Sequence, residues 1–410
     1  MLKIMKITCP LLFLLYILSG CNVLESPTTL IKPPKLEEDQ SILVNAVQAV
    51  LPSGAKLLSP VEKGDSSPYS LIDLDQDDID EAVVFYYDLK TYELIGLVFI
   101  EVKGTWRLDQ TISGFGIELY DLQFADVTGD HNLEIIAGYA NGVLEKGLNI
   151  YHWQKGNIQP LFDTAYSKFI VDDLNQDGLN ELTVLLVNRG VSAEVTSYLY
   201  KQNGFIALDQ MLLDEFGSYE NVISGFVTND KKGLVLDIQV GAHAAYTEVL
   251  LLEQNQLQKA SEEMENITWK EYPVNSEDVD MDGIIEIGKL IPPVGFEDES
   301  YASTPYITSY YQWYVKDGLE LKVQRFYEYQ KGFYFEFPMK WNDLLTIENS
   351  NENEFSFITI DEGKLVFNVI SVPVEEWEPE ENTYELGRNH EYVFITTVNN
   401  AELRTYFHLQ

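Results

Sequence analysis

The feature that most constrains the fold of this 410-residue chain is a nine-residue acidic segment that occurs four times. The copies are residues 73–81, 126–134, 173–181 and 278–286, here named loops 1, 2, 3 and 5. They align without gaps: position 1 is Asp, position 3 carries a side-chain oxygen, position 5 is Asp and position 9 is Glu. Such recurrence indicates a protein built from repeated supersecondary units.

The spacing of the copies predicts a further unit. The intervals between their starts are 53, 47 and 105 residues, and the last interval is twice a repeat. Residues 226–234, named loop 4, lie at the expected place. Loop 4 keeps Thr228 at position 3 and Asp230 at position 5 but lacks the acids at positions 1 and 9. We therefore predict a fifth unit whose metal site has been lost.

Strand-like sequences follow the loops. Residues 82–86, 135–139 and 182–186 are rich in apolar, β-branched and aromatic side chains, and further strand signals follow around glycine-containing turns. Short strands in a unit of about fifty residues suit a four-stranded propeller blade. The predicted fold is mainly β, with a propeller-like array of about five blades over residues 41–330.

The loop pattern stops near residue 330, and a different section follows. Residues 355–360, 365–372 and 392–398 carry strand signals. We predict a small C-terminal domain, β-rich or α+β, over residues 331–410. Its aromatic side chains are expected to form a core rather than a ligand platform.

The loops carry the donor pattern of a calcium site. Side-chain oxygens at positions 1, 3 and 5 can point at one centre, and the position 7 carbonyl and position 9 carboxylate complete a shell of hard oxygen ligands. An EF-hand also needs Glu at position 12, which all four loops lack. The predicted calcium ligands are Asp73, Asp75, Asp77, Ile79 and Glu81 in loop 1; Asp126, Thr128, Asp130, Asn132 and Glu134 in loop 2; Asp173, Asn175, Asp177, Leu179 and Glu181 in loop 3; and Asp278, Asp280, Asp282, Ile284 and Glu286 in loop 5.

These units resemble FG-GAP or VCBS-type repeats, the calcium-loop blades found in integrin α-chain propellers. The resemblance rests on the loops and on Phe-Gly pairs at residues 115–116 and 216–217, and it covers residues 60–330. The Gly-Ala-Pro element is not evident, and five units are fewer than the seven of an integrin-type propeller. The resemblance implies calcium-binding blades. Ring closure stays open: residues 41–60 supply a closing strand, or the array is short and open.

The N-terminal segment has the pattern of a bacterial lipoprotein signal. Lys3 and Lys6 precede a short apolar run, and residues 18–21, Leu-Ser-Gly-Cys, resemble a lipobox. The run is too short to span a bilayer, which favours a cleaved signal peptide over residues 1–20. We expect lipidation of Cys21, a tether over residues 21–40, and an exported protein held on the extracytoplasmic face of the membrane by its lipid anchor.

Composition and motifs favour a binding protein over an enzyme. A net charge of −39, from 66 acids and 27 bases, disfavours nucleic acid and favours divalent cations. The five histidines show no zinc-site spacing, and no Gly-x-Ser-x-Gly motif occurs. We expect a binding or scaffold protein whose ligand is an envelope protein or a glycan. The alternative is a lipid-anchored hydrolase acting on cell-wall or extracellular glycan, because two carboxylates suffice for that chemistry.

Overall fold

The computed structural model describes residues 38–410, except residues 63, 65, 143–144 and 315–317. The predicted signal peptide, Cys21 and the tether as far as residue 37 lie outside the described residues. The described part is mainly β, and its strands form six antiparallel sheets. Within that part, no helix has the length and apolar character needed to cross a membrane.

The first sheet follows an N-terminal helix. Helix α1 (Glu38–Val50) precedes β1 (Ala55–Leu58), β2 (Tyr69–Ile72), β3 (Glu81–Asp88), β4 (Glu93–Val102) and β5 (Thr105–Ser113). Strands β1 and β2 pair with successive halves of β3, so together they form one edge strand of the sheet.

The next three sheets are four-stranded meanders whose spatial order follows the chain. The second contains β6 (Glu118–Ala125), β7 (Glu134–Ala140), β8 (Lys146–Gln154) and β9 (Asn157–Ala165). The third contains β10 (Lys168–Asp172), β11 (Glu181–Asn188), β12 (Ser192–Lys201) and β13 (Gly204–Leu212). The fourth contains β14 (Ser218–Phe226), β15 (Lys232–Gly241), β16 (Ala244–Glu253) and β17 (Gln256–Lys259), so the predicted fifth unit does form a sheet.

Two further sheets complete the chain. After the short helix α2 (Met264–Thr268), the fifth sheet contains β18 (Ile287–Ile291), β19 (Ile307–Tyr314), β20 (Gly318–Glu328) and β21 (Phe333–Phe337). The sixth contains β22 (Leu345–Asn351), β23 (Glu354–Thr359), β24 (Leu365–Pro373), β25 (Tyr384–Arg388) and β26 (Tyr392–Thr396). Helix α3 (Leu403–Tyr406) then leads to β27 (Phe407–Leu409), which returns to pair with β21. Single 3₁₀ turns lie at Tyr301–Ser303, Met339–Trp341 and Val374–Glu376.

The pattern of apolar residues in each strand matches how deeply the strand is buried. Strand β7, Glu-Ile-Ile-Ala-Gly-Tyr-Ala, is buried at every position, which a nearly continuous apolar run permits because neighbouring sheets cover both faces. The edge strand β9 alternates between exposed and partly buried residues, as expected where one face meets solvent. The predicted strands at 82–86, 135–139 and 182–186 are confirmed within β3, β7 and β11.

Hydrophobic cores join consecutive sheets. Phe85 of the first sheet packs with Trp153 of the second, and further clusters join the second to the third, third to fourth, fourth to fifth and fifth to sixth sheets. Among the described residues, none of these clusters joins the first sheet to the fifth or sixth. The fifth sheet spans residue 330, and it shares a phenylalanine-rich core with the sixth.

Residues 41–60 do contain a strand at Ala55–Leu58, but that strand pairs within the first sheet and a helix precedes it. Leu43 and Val47 are buried on one face of α1, and they pack on Val84 and Phe99 of the first sheet. Their spacing of four residues is that of a helix face. The strand that follows, β1, pairs with the first sheet itself. This segment therefore covers the outer face of the first sheet.

Candidate metal-binding loops

Strand pairs join the two ends of loops 1, 2 and 3, and an isolated antiparallel bridge joins the two ends of loop 5. Loops 1, 2 and 3 connect the first and second strands of their sheets, and loop 5 leads into β18. In every case the residue before position 1 pairs with position 9. The pairs are Ile72 with Glu81, Ala125 with Glu134, Asp172 with Glu181, and Glu277 with Glu286. These pairs fix the distance between the two ends of each loop.

Three hydrogen bonds recur in all four acidic loops. The position 6 amide donates to the position 1 carboxylate over 2.9, 2.9, 2.9 and 3.0 Å. The position 7 amide donates to the position 5 carboxylate over 2.9, 2.9, 3.0 and 2.8 Å. The position 2 amide donates to the position 9 carboxylate over 3.0, 2.9, 2.9 and 3.0 Å. The acids therefore organise the loop backbone as well as offering free oxygens.

The backbone enters the left-handed region twice in each loop. At position 6 the φ values are 67° for Asp78, 72° for His131, 91° for Gly178 and 88° for Gly283. Glycine, the residue that adopts such φ values most readily, stands at position 6 in loops 3 and 5. Position 4 is also left-handed in every loop, with φ values between 58° and 78°. Its residues, two Gln, one Gly and one Met, do not share a turn preference, so the sequence gives no common signal there.

The four position 9 glutamates are buried. Glu81 is 4% exposed, and Glu134, Glu181 and Glu286 are fully buried. Burial, followed by the charges of nearby loop aspartates, raises the pKa of Glu81, Glu181 and Glu286 to about 7. Burial also raises the pKa of Glu134. Among the described residues, no Lys or Arg forms an ion pair with any of the four. Their ionised form is therefore costly without a cation.

The loops differ in which carboxylates converge. Ligand atoms of Asp73, Asp75 and Glu81 lie within 4.8 Å of one another, and so do those of Asp278, Asp280 and Asp282. In loop 1, Asp75 Oδ1 is buried, and no other described residue forms a hydrogen bond with it. Loop 3, all of whose residues are described, has no comparable set of three acids, because Asn175 holds position 3.

Two residues outside the loops also reach the sites. In loop 2, His152 Nδ1 lies 2.8 Å from Glu134 Oε1, and His152 forms a convergent group with Glu134 and Asp130 that does not include Asp126. In loop 5, Gln312 Nε2 donates to both Glu286 and Asp282 over 2.8 Å. Sequence reasoning missed both residues. They follow their loops by different intervals, 26 and 34 residues from position 1, so no fixed offset marks them.

Loop 4 is shorter than the predicted nine residues. Phe226 pairs directly with Lys232, which leaves five residues between the strands. The Thr228 hydroxyl donates to Asp230 Oδ1 over 2.8 Å, so the two retained oxygen side chains bond to each other. The ammonium group of Lys232 lies 2.6 Å from Asp172, the residue before loop 3. Loop 4 thus places a basic side chain where the other loops place acids.

Neighbouring loops are in contact. The position 8 amide of loop 2, from Leu133, donates to the carbonyl of Leu74 in loop 1 over 2.8 Å. The position 8 side chain of loop 3, Asn180, donates to the carbonyl of Asp126 in loop 2, also over 2.8 Å. Ile285 of loop 5 donates to the carbonyl of Phe226 over 2.8 Å. The loops therefore form a row along one side of the consecutive sheets.

Comparison with known proteins identifies no family for the chain. No protein-family model matches the chain, and no curated protein matches it. Among solved structures, it is similar to rhamnogalacturonan lyase YesW, with a TM-score of 0.32 and 13% identity, covering 73% of this chain and 68% of that one. It is also similar to the exotype rhamnogalacturonan lyase YesX, with a TM-score of 0.27 and 11% identity, covering 78% and 76%. The chain is a mainly β protein of several antiparallel sheets, and likeness at this level carries no argument about activity.

Proposed function

We propose that the chain is a lipid-anchored, extracytoplasmic calcium-binding protein that acts as a binding or scaffold protein at the cell envelope. The observation that carries the proposal is the hydrogen-bond scheme shared by loops 1, 2, 3 and 5. In each loop that scheme ties the carboxylates of positions 1, 5 and 9 to the loop backbone, and among the described residues no Lys or Arg forms an ion pair with the buried glutamate at position 9.

The donor set fits calcium. The predicted ligands are all oxygens, which hard cations prefer, and loop 1 leaves a buried carboxylate oxygen, Asp75 Oδ1, without a partner from another residue. The residues that would hold the ion are the side chains at positions 1, 3, 5 and 9 with the position 7 carbonyl. A bound cation would offset the repulsion among the loop acids, and it would tie the start of the second strand to the loop.

The sheets support a propeller-like array of FG-GAP or VCBS-type units. Four consecutive antiparallel sheets follow the chain and lead to a fifth; an acidic or shortened loop connects two strands in each of the first four, and an acidic loop leads into the fifth. Because no core cluster of the described residues joins the first sheet to the fifth or sixth, we favour an open array. Helix α1 covers one end and the sixth sheet packs on the other, as capping units do in repeat proteins.

Anchoring and the binding role rest on the sequence. Residues 18–21 support lipidation at Cys21, and no catalytic motif competes with a binding function. The proposed partner is an envelope protein or a glycan, with the membrane contacted through the lipid.

Thermal unfolding of the full chain in detergent tests the metal proposal. We expect chelation of calcium to lower the melting temperature and added calcium to restore it. Magnesium should restore it poorly, because Mg²⁺ demands a smaller octahedral shell. Melting that is indifferent to chelator would show that the loops are acidic turns without a metal.

A further inference from the structure

A large cavity lies between the fifth and sixth sheets, and it reaches Glu277, the residue directly before loop 5. Its volume is about 1240 Å³. One wall comes from residues 273–277, a second from residues 301–310, a third from residues 326–331 around the end of β20, and a fourth from the sixth sheet through Glu352, Phe355 and Tyr392. None of the predicted calcium ligands lines it. The cavity is therefore a separate candidate site.

Two exposed tyrosine rings project from different walls. Tyr301 is 50% exposed and Tyr329 is 73% exposed. Each ring is backed by a less exposed tyrosine: Tyr272 lies 3.9 Å from Tyr301 between ring centroids, and Tyr327 lies 5.4 Å from Tyr329 with the planes 5° apart. A backed ring is already restricted in its rotamers, so a ligand that stacks on it loses less entropy on binding. The neighbouring rings therefore help to preorganise Tyr301 and Tyr329 as stacking platforms.

Planar polar groups surround the platforms. Glu277, Glu328 and Glu352 offer carboxylate acceptors, and Asn275 and Gln330 offer amides that both donate and accept. Lys331 is the one basic residue among those lining the cavity, and its ammonium is held by the Glu352 carbonyl and by Asn353 Oδ1. The cavity thus presents aromatic faces and hydrogen-bonding groups under a negative potential.

We propose that this cavity binds a neutral glycan chain, with Tyr301 and Tyr329 as stacking platforms. A sugar ring presents C–H groups on its face and hydroxyls at its edge, so it matches a tyrosine face bordered by carboxylates and amides. The carboxylates repel uronic acids and other polyanions, which restricts the ligand to neutral sugars. The inference rests on the proposed binding role and names its ligand class.

The test is calorimetric titration of the full chain, in detergent with calcium, with chitohexaose, cellohexaose and maltohexaose. At least one hexasaccharide is expected to bind. Tyr329→Ala and Tyr301→Ala should each weaken that binding by about tenfold or more, the size expected for an aromatic hot spot. Tyr92→Ala is the matched control, because Tyr92 is 74% exposed but lies outside the cavity, and it should change nothing.

Three results would overturn the glycan proposal. They are no binding of any of the three sugars, equal effects of Tyr329→Ala and Tyr92→Ala, and Tyr329-dependent binding of oligogalacturonate or of a lysine-rich decapeptide in place of the sugars. Melting of the same samples with and without chelator reports separately on the calcium proposal. Release of new reducing ends from a bound sugar would support the glycan site and contradict the non-enzymatic role.

Discussion

Replacing Asp177 in loop 3 tests whether this residue is a metal ligand or only a turn residue. Asp230 in loop 4 is the matched control. Both side chains are exposed and occupy position 5 of the sequence repeat. Asp177 Oδ1 accepts the amide of Leu179 over 3.0 Å, whereas Asp230 Oδ1 accepts the hydroxyl of Thr228 over 2.8 Å. Each substitution to Ala removes one exposed hydrogen bond, which costs about 1 kcal/mol or less.

Calcium should make these two substitutions unequal. A site whose dissociation constant is a hundredfold below the free calcium concentration stabilises the fold by about 2.7 kcal/mol. Asp177→Ala should lose most of that stabilisation. It should therefore lower the free energy of unfolding by about 3 to 4 kcal/mol in calcium and by about 1 kcal/mol in chelator. Asp230→Ala should cost about 1 kcal/mol or less in both conditions.

Urea unfolding of both variants and the parent, in calcium and in chelator, measures these differences. The decisive quantity is the extra cost that calcium adds to each substitution. If that extra cost is the same for Asp177→Ala and Asp230→Ala, the reasoning about position 5 is refuted.

Three further predictions concern other parts of the molecule. Lys270 is fully buried with its ammonium 3.0 Å from Asp237, so Lys270→Met should lower the free energy of unfolding by about 3–5 kcal/mol in calcium and chelator alike; a loss below about 1 kcal/mol in urea titrations would contradict this. Without calcium, burial raises the pKa of three position 9 glutamates from 4.5 to about 7 in the folded state. Between these two pH values the folded state therefore binds more protons than the unfolded state. The free energy of unfolding should therefore fall as pH rises from about 4.5 to about 7, and calcium should remove the effect; a rise across the window in chelator would show the sign to be wrong. Cys21→Ala should abolish labelling by a radioactive fatty acid and retention in the membrane fraction; a labelled, retained variant would refute the lipobox.

The repeat and its strands were accessible from the sequence because their signals are local. Runs of β-branched and aromatic residues follow each loop, and a strand needs little more than such a run between turns. Gly178 and Gly283 likewise mark position 6, where a left-handed residue is least costly. At position 4, Gln76, Gln176 and Met281 adopt the same region without any local preference, since the loop hydrogen bonds impose it.

Features that depend on pairing across the fold were not accessible. The spacing of the repeats located the unit that contains loop 4. The direct pairing of Phe226 with Lys232 shortens that loop, and this pairing depends on the register of the whole sheet. His152 and Gln312 reach their glutamates from the neighbouring strand, at intervals that vary with hairpin length. In residues 41–60, α1 packs on a face of the first sheet and β1 pairs at its edge, and both placements depend on which parts of that sheet lack another partner.

The cavity between the fifth and sixth sheets also could not be predicted from the sequence. The aromatic side chains of the C-terminal section were expected to form a core, and Phe333, Phe357 and Phe394 do so. Tyr301 and Tyr329 lie before that section, within residues 41–330, and both remain exposed beside a cavity that the 3₁₀ turn at Tyr301–Ser303 and the end of β20 help to line.

The central claim, that the acidic loops are metal sites, is tested most directly by calcium titration of the chelated full chain by isothermal calorimetry. The account predicts four sites, one in each of loops 1, 2, 3 and 5, and none in loop 4, which lacks acids at positions 1 and 9. A stoichiometry of zero or one would contradict it.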